Sequence, residues 1–161
     1  MGVLINASRS QNTSPEIDVV FNVFLTKNSL EKVYEEVVTA GKKLFDEYGE
    51  GGNVHIYVID YQGRTIPLEN SEKTYATNIS ELEYMSTHIY TRVSGNRSLI
   101  ETAVTKFLNN NTLRENADKY YVSVQSDVVE SERLNLVITR LINENITAVV
   151  IKINIKNFMI I

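Results

Sequence analysis

The residue types that carry most enzyme chemistry are scarce in this sequence. It has no cysteine, which excludes disulfides, thiolate metal sites and cysteine nucleophiles, and its two histidines are His55 and His88. No histidine is positioned to pair with Ser123 or Ser126 in a hydrolase triad. The glycine-rich stretch 49–52 lacks the Lys-Ser/Thr ending of a phosphate-binding loop and precedes a strand pattern. We therefore predict that the protein is not an enzyme and uses no cofactor.

Length and charge narrow the class of protein further. The chain has 161 residues, of which 43% are hydrophobic and 22% are charged, so it can bury one core. Its formal net charge is −4, and a mildly acidic chain is a poor general binder of phosphate backbones. No apolar run approaches the ~18 residues of a membrane span. We predict a flexible polar lead-in at 1–16 and a single domain at 17–161, with no nucleic-acid partner and no membrane insertion.

Short apolar runs alternate with amphipathic helical patterns along the chain. Adjacent buried strands are predicted for the apolar runs 18–25, 54–59, 120–124 and 147–153. Apolar residues at steps of three and four predict helices near 29–48, 79–89, 98–109 and 131–143. This alternation indicates the α/β class, with a doubly wound, mostly parallel sheet and helices on both faces.

Two finer features of the sheet can be predicted. Residues 64–68 follow a turn and contain Pro67, which cannot donate to a ladder, so we predict one antiparallel edge strand there. The centres of the apolar runs should be the best covered positions. The residues expected to be among the least exposed are Val20, Phe21, Val122 and Val150.

The order and spacing of these segments resemble the von Willebrand factor type A domain, also called the integrin I domain. The resemblance covers about residues 17–153. The similar pieces are the first strand at 17–24, the second and return strands at 54–68, the loop-and-helix region at 79–104, the fourth strand at 119–127, and the helix end and buried strand at 142–151. It implies a doubly wound α/β domain that here lacks the family's usual final helix.

The family binds a divalent metal at the carboxyl ends of its strands, through Asp-x-Ser-x-Ser, a threonine and a further aspartate. In this sequence the first aspartate position falls on Phe24, which offers no oxygen. The remaining positions fall on Thr26 and Asn28, on Arg97 or Ser98, and close to Ser126 and Asp127. Because Mg²⁺ needs hard, charged oxygen ligands, we predict that no metal is bound.

The loops 24–29, 94–98 and 124–130 should meet where ligands bind in open α/β sheets, outside the carboxyl ends of the strands. We predict that they form a metal-independent protein-binding face, for adhesion or another interaction. Its candidate residues are Thr26, Lys27, Asn28, Asn96, Arg97, Ser98, Ser126 and Asp127. Thr26, Asn28 and Ser98 have an alternative interpretation as helix caps, which favour the same residue types.

The last residues of the chain suggest a second function. Phe158, Met159, Ile160 and Ile161 are apolar, and burying each is worth roughly 1.5–3 kcal/mol. We expect them to pair with a sheet edge or to dock on another copy of the chain, which gives a homo-oligomer. The alternative function is therefore a structural or assembly subunit, such as a viral or surface component.

Overall fold

The computed structural model describes residues 15–24, 30–89, 100–125 and 134–152. Its elements in chain order are β1 (Ile17–Phe24), α1 (Leu30–Tyr48), β2 (Val54–Ile59), α2 (Ile79–His88), α3 (Ile100–Asn110), β3 (Asp118–Gln125), α4 (Leu134–Asn143) and β4 (Ile146–Lys152). The four strands and four helices predicted from the apolar patterns are confirmed, with bounds that differ by a few residues.

The strands form one parallel sheet in the order β2-β1-β3-β4. From β1 the chain moves outward to β2 and then crosses back to β3 on the other side of β1. Each parallel step needs a crossover connection, and helices supply it. The predicted α/β class and adjacent buried strands are confirmed, and the arrangement is consistent with a doubly wound fold.

Helices cover both faces of the sheet. The first face carries Val19 and Phe21 of β1, and α1 and α2 pack on it. The second face carries Val20 of β1 and Tyr121 of β3, and α3 and α4 pack on it. Because successive strand residues point to opposite faces, an unbroken apolar run is what a strand covered on both sides requires.

The predicted antiparallel edge strand is not seen. Ile59 forms an isolated antiparallel bridge with Thr65, and the Ile66 amide donates to the Val58 carbonyl at 3.2 Å. The ladder then stops, because Pro67 has no amide hydrogen. The Leu68 amide donates instead to the carbonyl of Lys73, at 3.0 Å. The segment therefore covers the outer edge of β2 without forming a strand.

The burial prediction is confirmed at three positions and wrong at the fourth. Val20, Phe21 and Val122 are buried, whereas Val150 is 55% exposed. β4 is the last strand in the sheet order, and α4 covers it mainly near Ile146, which is buried. An apolar run alone does not reveal whether its strand lies at the centre or at the edge of a sheet.

Candidate functional site

The order of the strands reverses at β1, which creates a switch point at the carboxyl ends of β1 and β3. In open α/β sheets the crevice outside such a point is the usual binding place. Phe24 and Gln125 end the two strands and are register partners. The loop after β2 also packs against the first turn of α3, because Gly63 lies so close to Ala103 that a β-carbon would overlap its carbonyl oxygen. The described flanks of segments 25–29, 90–99 and 126–133 therefore lie at one end of the sheet.

The eight predicted binding residues all fall in these three segments, outside the described residues. They are Thr26, Lys27, Asn28, Asn96, Arg97, Ser98, Ser126 and Asp127. Whether they contact one another stays a prediction. The strand ends Phe24 and Gln125, which precede two of the three segments, are described.

A buried polar network lies towards this carboxyl end of the sheet. The Tyr121 hydroxyl on β3 donates to Asn22 Oδ1 on β1 at 2.6 Å. Asn22 Nδ2 in turn donates to the Asp60 carbonyl at the end of β2, at 2.8 Å. Burial raises the pKa of Tyr121 well above its ordinary value, so the phenol keeps the proton that it donates. The network ties three strands together near the strand ends Phe24 and Gln125.

The Asp60 carboxylate is committed to the turn that follows β2. Its oxygens accept from the backbone amides of Gln62 and Arg64, both at 2.9 Å, and from Arg64 Nε at 2.7 Å. An aspartate at the end of a strand is also what a phospho-receiver domain would use. The oxygens of Asp60 instead accept hydrogen bonds within the turn, and the residue is buried. Its role is therefore structural.

The opposite end of the sheet holds an ion pair that the sequence analysis missed. The Asp18 side chain on β1 is fully buried, and Arg114 donates to it from the backbone amide at 2.7 Å and from Nε at 2.8 Å. The same guanidinium donates to the carbonyls of Ile17, Gly52 and Asn53 at 2.7–2.9 Å. Arg114 therefore fastens the amino ends of β1 and β2 and neutralises a charge that could not be buried alone.

His55 lies beside this ion pair on the second face of the sheet. Its Nδ1 is 3.8 Å from Asp18 Oδ1, and its ring stacks on Tyr75 with centroids 4.0 Å apart. Burial, and then the positive charge of Arg114, lower the pKa of His55 below its ordinary value, although Asp18 acts in the opposite direction. Burial, with a contribution from Asp18, also raises the pKa of the neighbouring Tyr57 to about 12. The shifts of both pKa values favour the uncharged forms of His55 and Tyr57, which pack here as neutral rings.

Protonation of His55 should make folding stability depend on pH. An unfolded histidine has a pKa near 6.5, and the folded value is lower, so between the two the unfolded chain binds the extra proton. His55 should thus contribute its full stability above about pH 6.5 and lose it as the pH falls through the folded pKa. We expect the free energy of unfolding, measured in urea, to fall from neutral pH to about pH 5.

The variant His55→Phe should weaken this pH dependence, because phenylalanine keeps an aromatic ring against Tyr75 but cannot bind a proton. The matched control is His88→Phe. His88 is exposed on α2 and also stacks on a tyrosine, Tyr84, with centroids 4.0 Å apart. The control should retain the pH dependence. An equal loss in both variants would contradict the role given to His55.

Clusters of metal ligands and membrane-spanning helices are both absent from the described ranges. Residues 15–24, 30–89, 100–125 and 134–152 contain no group of three acidic, histidine or cysteine side chains that could hold a metal ion. In the described part of the chain, no helix combines the length and the apolar character needed to cross a bilayer.

Comparison with known proteins adds no family. No protein-family model matches the chain, and no curated protein is similar enough to it to indicate common descent. The resemblance to the von Willebrand factor type A domain therefore stays a prediction from the order and spacing of the sequence segments.

Proposed function

We propose that this protein is a non-enzymatic, metal-independent protein-binding module, whose binding face is formed by the segments at the carboxyl ends of its strands. The observation that carries the proposal is the reversal of strand order at β1. It directs 25–29 and 126–133 out of neighbouring strands at the place where α/β sheets bind ligands. These two segments hold the predicted residues Lys27 and Asp127, and Arg97 belongs to the third segment, 90–99.

The chemistry at this end of the sheet supports binding rather than catalysis. Asn22, Asp60 and Tyr121 have their polar groups engaged with one another or with the turn after β2. These three engaged side chains include no poised base or nucleophile. The loop residues combine both charges with amide and hydroxyl groups, which suits a polar protein surface.

Divalent metal should not stabilise the protein. A ligand that binds only the folded state stabilises it by RT ln(1 + [L]/Kd), which is ~2.7 kcal/mol at a hundredfold excess over Kd. Because Phe24 stands where a ligating aspartate would be needed, we expect millimolar Mg²⁺ or Mn²⁺ to leave the melting temperature unchanged. A clear metal-dependent rise in a thermal melt that Asp127→Ala abolishes would contradict this prediction.

Charge reversal tests the binding face. The double variant Lys27→Glu, Arg97→Glu changes two candidate residues, and the control Lys42→Glu, Lys43→Glu makes the same charge change on the exposed face of α1. Tagged full-length chains are incubated with extract from the native source, and retained proteins are quantified by mass spectrometry. We expect a partner that is retained by the wild type and the control and lost from the site variant. A partner lost only from the control would place binding elsewhere.

A further inference from the structure

The two outer edges of the sheet are protected differently. At one edge, residues 65–76 lie along β2 and bridge to it through the pairs Ile59–Thr65 and Ile56–Ala76. At the other edge is β4, which pairs with β3 on its inner side. Within the ranges that the structure describes, no segment pairs with the outer side of β4. An edge of this kind presents backbone donors and acceptors to any strand that approaches.

Exposed apolar side chains are concentrated at this same edge. The large apolar residues that the structure places at 38–64% exposure all belong to α4 or β4: Leu136, Ile138, Ile142, Val149, Val150 and Ile151. On β4 they occur on both faces of the sheet, because successive residues alternate. Leu136 is one turn from Arg140, whose side chain contacts Asn109 of α3, so Leu136 lies on the α3 side of the helix. We name the other five residues and the outer edge of β4 the open edge.

The open edge carries few of the charges that usually keep strands apart. Between Leu134 and Lys152 the charged residues are Arg140, Glu144 and Lys152. Arg140 is turned towards α3, where its guanidinium donates to Asn109 Oδ1 at 2.7 Å. By contrast, α1 exposes the charged residues Glu35, Glu36, Lys42, Lys43, Asp46 and Glu47. Natural sheet edges avoid association with lysines, prolines or bulges; β4 contains no proline, and its one lysine is its last residue.

We propose that two copies of this chain associate by pairing their β4 strands antiparallel, about a two-fold axis at Val149. This joins two four-stranded sheets into one of eight strands and places the two α4 helices side by side on the second face. Val149 is the middle residue of β4, so this register uses the whole strand. It sets Val149 opposite Val149 and Ala148 opposite Val150, whereas Thr147 lies opposite Ile151 and Ile146 opposite Lys152.

The area available suits a small interface. The exposed fractions of these five side chains together equal about two and a half whole side chains. At about 60–120 Å² of apolar area for each whole side chain, they remove roughly 150–300 Å² from water on each copy. Since a little over half of an interface is apolar, the total is below the ~800 Å² per partner of a standard interface, so we expect a weak dimer.

A second copy fits the open edge better than the competing occupant within the chain. That occupant is residues 153–161, which lie outside the described residues and include the predicted self-association segment Phe158 to Ile161. A strand formed by this segment would satisfy the edge but would bring no helix to α4. A second copy offers both a strand and a helix of matching apolar character.

Light scattering of the full chain tests the proposal. We expect a mass of about twice 18.3 kDa at high chain concentration, because an interface of this size gives a weak dimer. Val150→Lys, which places a charge on the open edge at an already exposed position, should give a monomer with an unchanged circular dichroism spectrum. Thr39→Lys makes the same kind of change on the exposed face of α1 and should stay dimeric. A monomeric wild type, or a dimer that survives Val150→Lys, would overturn the proposal.

Cysteine crosslinking tests the register and separates the two occupants. Because the chain has no cysteine, Val149→Cys introduces a single thiol, which the two-fold axis brings opposite its own copy. Mild oxidation should give a disulfide-linked dimer, and Thr39→Cys should give none. If the wild type is monomeric and deletion of 153–161 makes it dimerise, that segment occupies the edge and the proposal is wrong.

Discussion

Replacing Arg114 with alanine should lower the free energy of unfolding by about 3 kcal/mol, because it leaves the Asp18 carboxylate buried without a counter-charge. The variant also removes hydrogen bonds to the carbonyls at the amino ends of β1 and β2. The Arg114 side chain is 22% exposed and Asp18 is fully buried. Water can therefore compensate in part, and the value lies at the low end of the ~3–5 kcal/mol for broken buried pairs.

Urea unfolding followed by far-ultraviolet circular dichroism measures this effect, since the chain has no tryptophan. The control Arg140→Ala removes a half-buried arginine that donates to Asn109, and should cost less than about 1 kcal/mol. Arg114→Lys should recover little, because one ammonium group cannot reproduce the planar fork that reaches Asp18 and three carbonyls. Equal effects of Arg114→Ala and Arg140→Ala would show that the ion pair is not a main fastening of the fold.

Replacing Gly63 with alanine should cost about 4 kcal/mol. Gly63 has φ +76°, which costs other residues about 1–3 kcal/mol, and its β-carbon would overlap the carbonyl of Ala103. Since that atom is helix backbone and not a flexible side chain, α3 must move away from the end of β2. Overpacking of this kind costs a further ~1–3 kcal/mol.

Gly51→Ala is the matched control for Gly63→Ala. Gly51 also has a positive φ, +101°, but an added β-carbon would meet no atom within 4 Å. It therefore reports the backbone cost alone, about 1–3 kcal/mol. Chemical denaturation of both variants should show the larger loss for Gly63→Ala. The same loss in both would mean that the contact between the loop after β2 and α3 is not tight.

The order and type of the elements could be predicted because buried parallel strands and amphipathic helices leave different apolar patterns. Position within the sheet leaves no such pattern. Val150 belongs to an apolar run like that of Val20, and its exposure is decided by the sheet order, which places β4 last. The edge strand predicted for 64–68 is not formed, because Pro67 cannot continue the ladder and the Leu68 amide donates to the Lys73 carbonyl.

The ion pair between Asp18 and Arg114, which joins the amino ends of β1 and β2, could not be predicted from sequence spacing, because the two residues are 96 positions apart. One signal was present. A carboxylate within an otherwise apolar strand must find a cation if the strand is buried, and Asp18 stands in such a run. The candidate binding face is the opposite case, since the sequence supplied the residues and the strand order supplied only the end of the sheet at which we expect them to meet.

Site-specific photo-crosslinking is the most direct test of the binding face. A photoreactive benzophenone amino acid is placed at Asn28, in a segment at the carboxyl ends of the strands, or at Asn116, which is exposed at the amino end of β3. Full-length chains are irradiated in extract from the native source, and products heavier than a crosslinked dimer of the chain are identified by mass spectrometry. We predict crosslinks to a second protein from Asn28 and none from Asn116. Crosslinks from Asn116 alone, or equally from both, would contradict a binding face at the carboxyl ends of the strands.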